Sequence, residues 1–251
     1  AMRAASELER LKMEEQLAHS MKVSFQSEKL ASIGQLAAGV AHEINNPLGV
    51  ILGFAQTLTR RIKTGDPFAL PLQSIEREAL RCKAMVANLL SFSRQGGGSF
   101  QDFELREALE SALLLVDAQA RIRSVAIKRE GDGTGQRIHG DLNQIQQIII
   151  NLCSNALDAM PGGGTLTVGA GALAGKPGFA AIRVEDTGSG IPDDVRSKMF
   201  EPFFTTKEAG KGTGLGLALV SEIVARHKGI IACDSELGKG TVFRVTLPLA
   251  S

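Results

Sequence analysis

Residues 141–160 read DLNQIQQIIINLCSNALDAM, and the fold of the C-terminal half turns on this stretch. A run this long and this apolar exceeds an ordinary strand and fits a helix. Its hydrophobic residues occupy much of the helical circumference, so the helix is expected to be central and covered on several sides. One strip breaks that rule. Gln147, Asn151 and Asn155 recur every four residues and stack along a single face. Buried amides need partners, and amide oxygens are hard donors suited to Mg²⁺ held jointly with phosphate oxygens. A helix with one wet face is the competing explanation of the same strip.

Around this helix the pattern is mixed α and β. Leu105–Ala120 reads as a helix with Leu109, Ala112, Leu113 and Val116 inward. Strands are expected over Val125–Arg129, Thr165–Ala170 and Phe179–Glu185, a helix over Gly214–His227, and a closing hairpin from Ile230–Ser235 and Thr241–Leu247. Together they predict a sheet with helices on one face, an α/β sandwich.

Two glycine-rich stretches punctuate it. Asp186-Thr187-Gly188-Ser189-Gly190 directly follows a strand. A carboxylate there can accept a hydrogen bond from an exocyclic amine such as adenine N6, while Gly188 and Gly190 let the backbone approach a flat ligand. Lys211-Gly212-Thr213-Gly214-Leu215-Gly216-Leu217 opens a helix, where free N–H groups and the positive dipole end favour phosphate. It is not the G-x-x-x-x-G-K-[ST] phosphate loop. The roughly twenty residues between the two stretches are long enough to form a lid. They include Phe200, Phe203 and Phe204, which are expected to clamp the lid, and Lys207, which is expected to reach phosphate.

The N-terminal half is helical. Residues from about Ala4 to Ile62 read as one long helix whose seam sharpens into Leu30, Ile33, Ala37, Val40 and Ile44. It continues through Leu48, Ile51, Leu52, Ala55 and Leu58 or Thr59 to the turn Thr64-Gly65-Asp66-Pro67. A second helix, about Leu70 to Arg94, carries Leu72, Ile75, Ala79, Cys82, Val86, Leu89 and Ser93 at steps of three and four. Two such helices form an antiparallel hairpin that cannot cover its own stripe, so two copies are expected to pair into a four-helix bundle. Packing of one hairpin on its own second domain is the alternative. Gln95-Gly96-Gly97-Gly98-Ser99 is a flexible joint. The expected organisation is a leading helix over 1–29, a helical dimerisation domain over 30–95, a linker over 96–99 and an α/β domain over 100–251.

Within the first helix lies Ala41-His-Glu-Ile-Asn-Asn-Pro-Leu48. His42 is two residues from both Val40 and Ile44, roughly 200° round the helix from the seam, and so faces outward. Glu43 is its neighbour, Asn46 lies one turn on, and Pro47 predicts a kink just beyond.

Composition narrows the function. A net charge of +1 over 251 residues gives no reason to expect nucleic acid. With no Trp and no Tyr, a base-stacking surface is not expected either. No apolar run approaches the eighteen or so residues of a membrane span. Cys82, Cys153 and Cys233 lack metal or disulfide spacing, which predicts buried, reduced thiols in a cytoplasmic protein. Membrane attachment is expected only if a preceding sensor part supplies it.

With these residues in view, the chain resembles the catalytic portion of a bacterial two-component sensor histidine kinase. His42–Leu48 resembles the H box of nitrogen-regulation-type members, Asn151–Asn155 the N box, Asp186–Gly190 the G1 box, Phe200–Phe203 the F box and Gly212–Gly216 the G2 box. The resemblance implies a phosphotransfer bundle followed by the GHKL (Bergerat) ATP-binding sandwich of Hsp90, gyrase B and MutL. It implies that His42 is the phospho-acceptor, Glu43 its polarising base, and Asn46 the residue orienting water for dephosphorylation of a response regulator receiver domain. It further implies that Asn151 and Asn155 hold Mg²⁺ and that Asp186 holds the adenine of ATP. Gly188, Gly190, Lys207, Gly212, Thr213, Gly214, Leu215 and Gly216 would line the nucleotide. One departure is Asp158-Ala159-Met160, where many members carry an aromatic residue. The competing functions are an Hsp90–MutL-type ATPase clamp, which would not need the 41–48 platform, and a degenerate, non-catalytic scaffold.

Overall fold

The computed structural model describes residues 44–62, 66–93, 99–173, 175–208 and 212–250, with the backbone alone given for 84, 85 and 87–93. The leading helix, the first half of the seam, His42, Glu43, most of the linker and Lys211 lie outside the described residues. The chain divides into two compact units, Ala1–Gly96 and Gly97–Ser251.

In the first unit, helix α1 is described over 44–59 and α2 spans Ala69–Ser93. Helical backbone continues through Pro47, so the proline does not end α1. Asp66 starts the second helix: its Oδ1 accepts the Phe68 N–H at 2.8 Å, and its carbonyl accepts the Ala69 N–H at 3.0 Å. Gln56 donates from Nε2 to Glu76 Oε1 at 3.1 Å, joining the two helices. Small residues at the seam, Ala55 and Ala79, are buried together with Val86. Larger ones are not: Ile51, Leu58 and Ile75 remain 46%, 47% and 46% exposed.

The second unit runs β1 (Gln101–Glu104), α3 (Leu105–Ile122), β2 (Val125–Asp132), β3 (Arg137–Gly140), α4 (Leu142–Asp158), β4 (Gly164–Ala172), β5 (Phe179–Asp186), α5 (Asp193–Arg196), α6 (Gly216–Arg226), β6 (Ile230–Glu236) and β7 (Gly240–Pro248). Its main sheet has the order β2-β4-β5-β7-β6. Only β2 and β4 pair in parallel; the other neighbours are antiparallel. α4 packs on both α3 and α6 and against β5, the central position expected from its sequence. Ile145, Ile148, Ile149, Leu152 and Leu157 of α4 are fully buried, and removing that much apolar side chain from water is the main force holding the layers together. Asp141 starts the helix by accepting the Asn143 and Gln144 N–H groups at 3.0 and 3.3 Å.

Three elements escape a reading by pattern. β1 and β3 are four residues each and pair only with one another, and α5 is a single turn; such short pieces carry too few side chains to show a period. The thiols also differ from expectation. Cys153 is buried, but Cys82 and Cys233 are only half-buried. Burial pushes the Cys153 thiol up to about 12 and the Cys233 thiol up to about 11, so neither is a nucleophile at neutral pH. Among the described residues no helix is long and apolar enough to cross a membrane.

Candidate nucleotide site

The polar strip of α4 is real and longer than its amides. Gln147, Asn151, Asn155 and Asp158 are all half-buried on one face of a helix that is otherwise core. Gln147 donates from Nε2 to Asn151 Oδ1 at 2.9 Å. Asn151 donates from Nδ2 to the Gly216 carbonyl at 3.4 Å, so this amide spans from α4 to the first residue of α6. Asn155 keeps its Oδ1 for a cation: the Lys207 ammonium stands 3.4 Å away.

The turn after β5 closes over the end of α4. Asp186 is 5% exposed, and its Oδ1 accepts the Gly188 N–H at 2.8 Å. Ser189 N–H donates to the Ala159 carbonyl at 3.2 Å, fastening the turn to the helix end. Gly188 is required by space, since a Cβ would sit 2.7 Å from the Ala159 carbonyl oxygen and 2.8 Å from Asp186 Oδ1. Burial pushes the Asp186 carboxyl above its ordinary value, aided by the charge of Glu185, while N–H groups of Gly188 and Thr241 pull the other way.

On the facing side, Phe203 N–H donates to the Gly214 carbonyl at 2.9 Å. Gly214 has φ +66° and lies against the Phe203 backbone, 2.3 Å from where its Cβ would be, so a side chain there is excluded by both conformation and space. Leu215 N–H donates to Thr213 Oγ1 at 3.3 Å as the chain enters α6. A Cβ on Gly216 would meet nothing within 4 Å. Of the three phenylalanines expected to clamp the loop, Phe203 does not: it is 56% exposed, with φ +67°.

The second unit thus brings together Asn151, Asn155, Asp186, Gly188, Lys207 and the Gly212–Gly216 stretch around one end of α4. Two residues of this cluster are not singled out by the sequence reading. Asp158 follows Asn155 by three residues, and that spacing marks it as part of the strip. Arg123, whose Nη1 is 2.5 Å from Asp158 Oδ1, carries no signal at all because it arrives from the end of α3. Among the described residues no group of three or more His, Cys, Asp and Glu forms a metal cluster, so amide oxygens are the candidate donors. In the first unit Asn46 is exposed on α1. A cavity of about 530 Å³ lined by Phe100, Asp102, His139 and His227 lies at the other end of α6 and shares none of these residues.

Comparison with known proteins agrees with this geometry. Residues 140–251 match the histidine kinase-, DNA gyrase B-, and HSP90-like ATPases, and residues 32–98 match the His Kinase A (phospho-acceptor) domain. The chain belongs to the two-component sensor histidine kinases and corresponds to their catalytic portion. Sensor kinase CckA of Brucella abortus is 39% identical over 89% of this chain and 25% of its own length. Sporulation kinase C of Bacillus subtilis is 36% identical over 92% of this chain and 52% of its own. The chain therefore spans about half or less of these relatives. Among solved structures, full-length ShkA in complex with AMPPNP aligns over 86% of this chain and 46% of its own, at 27% identity and a TM-score of 0.73. The histidine kinase ThkA in complex with response regulator protein TrrA aligns over 89% of this chain and 64% of its own, at 27% identity and a TM-score of 0.62.

Proposed function

We propose that this chain is an ATP-dependent protein histidine kinase that phosphorylates its own His42 and passes the phosphoryl group to an aspartate of a response regulator receiver domain. The observation that carries the reading is the convergence of Asp186, Asn155, Lys207 and the start of α6 on one end of α4. That arrangement offers an acceptor for the adenine amine, a hard oxygen for a cation, an ammonium for a phosphate and free helix-end N–H groups beside them. The ShkA neighbour was solved in complex with AMPPNP, which supports a nucleotide as the ligand.

The donor set suits Mg²⁺. Asn155 Oδ1 is a hard oxygen beside which a cation already stands, and Asn151 Oδ1 would share its lone pairs with Gln147. Asn155 and Asn151 would hold Mg²⁺, which would supply positive charge to offset that of the phosphates. The protein's own part is positioning. Asp186 orients the base, Lys207 and the α6 N-terminus hold the phosphates, and His42 supplies a neutral imidazole nitrogen. As that nitrogen attacks the terminal phosphorus, the P–O bond to ADP breaks, and Glu43 stabilises the positive charge developing on the ring.

Two copies of the first unit pair through the residues that one copy leaves exposed, displaying His42 on a bundle. The ThkA relative was solved with its response regulator, and by the same logic Asn46 orients water for dephosphorylating the regulator. Incubation with γ-labelled ATP and Mg²⁺ should give protein-bound phosphate that is acid-labile and base-stable. The label should vanish in His42→Ala while ATP affinity is unchanged. Label persisting in that variant would rule out His42 as acceptor.

A further inference from the structure

Asp158 is the charged end of the polar strip on α4, and Lys207 comes to it from the loop before α6. The Lys207 ammonium hydrogen-bonds Asp158 Oδ2 while standing 3.4 Å from Asn155 Oδ1. Arg123 holds the other carboxylate oxygen at 2.5 Å. Both ends of the pair are withdrawn from water, the side chains of Lys207 and Asp158 being 35% and 29% exposed. Burial alone would push the Asp158 carboxyl up, but hydrogen bonds and charge from Lys207 and Arg123 outweigh it and hold the group below the usual carboxylate range. The lysine is also fixed at its base. Its backbone N–H donates to Thr205 Oγ1 at 3.2 Å, and Gly212 leaves room only for those two side chains.

We propose that Asp158 is a positioning residue that sets the affinity for ATP without setting that for ADP. In the nucleotide-free chain it latches Lys207 against Asn155, and the third phosphate must draw the lysine away. This rests on the reading that Asn155 and Lys207 face the phosphates. The terminal phosphate of ATP offers the Lys207 ammonium an anionic partner stronger than a single carboxylate and draws it off Asp158 and Asn155. A diphosphate does not, so the pair stays closed. Arg123 makes the release possible, since it remains on Asp158 and spares the half-buried carboxylate from being left unpaired.

Amide hydrogen exchange over residues 200–208 of the whole chain, without nucleotide, tests the latch directly. Asp158→Asn should accelerate exchange there, and Arg123→Gln, which leaves the lysine contact in place, should not. With Mg²⁺ present, Asp158→Asn should tighten ATP by about two- to five-fold, the range for a partly exposed ion pair, and leave ADP unchanged. Unaltered exchange in Asp158→Asn, weaker ATP binding, or equal shifts for both nucleotides would each overturn the proposal. If no variant, wild type included, bound either nucleotide, the kinase reading itself would fail, whereas the exchange experiment would still report on the latch.

Discussion

Asp186 shows how a single side chain trades stability for recognition. Its carboxyl is pushed up by burial, so the folded chain holds a proton there more firmly than the unfolded chain does. Its contribution to stability is therefore complete below the ordinary value of 3.8 and is lost as pH rises through the raised folded value. At neutral pH the charge is a cost to folding, one that the role proposed for it, acceptor for the adenine amine, would account for. Asp186→Asn is expected to raise the Tm of the nucleotide-free chain in a thermal melt. It should also weaken ATP by about ten- to a hundred-fold, the worth of a hydrogen bond to a charged group. A lowered Tm, or unchanged affinity by calorimetry, would contradict one half or the other. Asn46 is exposed on α1. Asn46→Ala should keep autophosphorylation while slowing release of phosphate from the regulator, and equal loss of both would remove its separate role.

At the scale of elements, α4 and α6 must keep their relative positions for Asn151 to reach the Gly216 carbonyl at the start of α6. One imidazole ties them. His227, at the end of α6, donates from Nδ1 to the Ile223 carbonyl at 2.8 Å and accepts the Asp141 N–H on Nε2 at 3.0 Å. Phe100 stacks on its ring at 4.9 Å, with Arg226 over the far part of that aromatic. Burial holds His227 below its ordinary 6.5, with Arg226 acting in the same sense and Asp141 and the Ile223 carbonyl opposing. Protonation would set an N–H against the Asp141 N–H. Because the folded value lies below the unfolded one, the stability from this residue is present above 6.5 and is lost as pH falls through the folded value. Melting temperatures should accordingly drop as pH falls below the ordinary 6.5, and His227→Gln should flatten that part of the curve. A slope unchanged by the substitution would acquit this histidine. Gly140 belongs to the same joint, since a Cβ there would lie 2.5 Å from the ring. Gly140→Ala should cost about 1–3 kcal/mol in urea denaturation, the usual range for forcing atoms into a packed site.

For the molecule as a whole, the exposed Ile51, Leu58 and Ile75 define the assembly prediction. Each is about half exposed, so burying the remainder against a second copy would return about 0.7–1.5 kcal/mol. Ile75→Glu is expected to convert a sedimenting dimer to monomer at micromolar concentration. A wild-type chain that sediments as a monomer would refute the pairing. Such a monomer would leave nucleotide binding by the second unit untouched, which separates this prediction from those above.

Much of this molecule is local and therefore written in the chain. A 3.6-residue period, an N-cap at Asp141, glycines before a helix and amides four apart all act within a turn or two. For that reason α4, α6, both glycine-rich stretches and the α/β sandwich are legible in the amino-acid sequence by itself. Long-range pairing is not. β1 and β3 find each other across the whole of α3 and β2, and Arg123 reaches Asp158 from a different helix. Phe203 is expected inward, yet its positive φ turns the chain so that the ring faces water. What the tertiary structure alone decided is which polar groups meet: Lys207 on Asp158 and Asn155, and the His227 ring on the Asp141 N–H. Contacts of that kind depend on how separate elements are packed in three dimensions, and no spacing along one element encodes them.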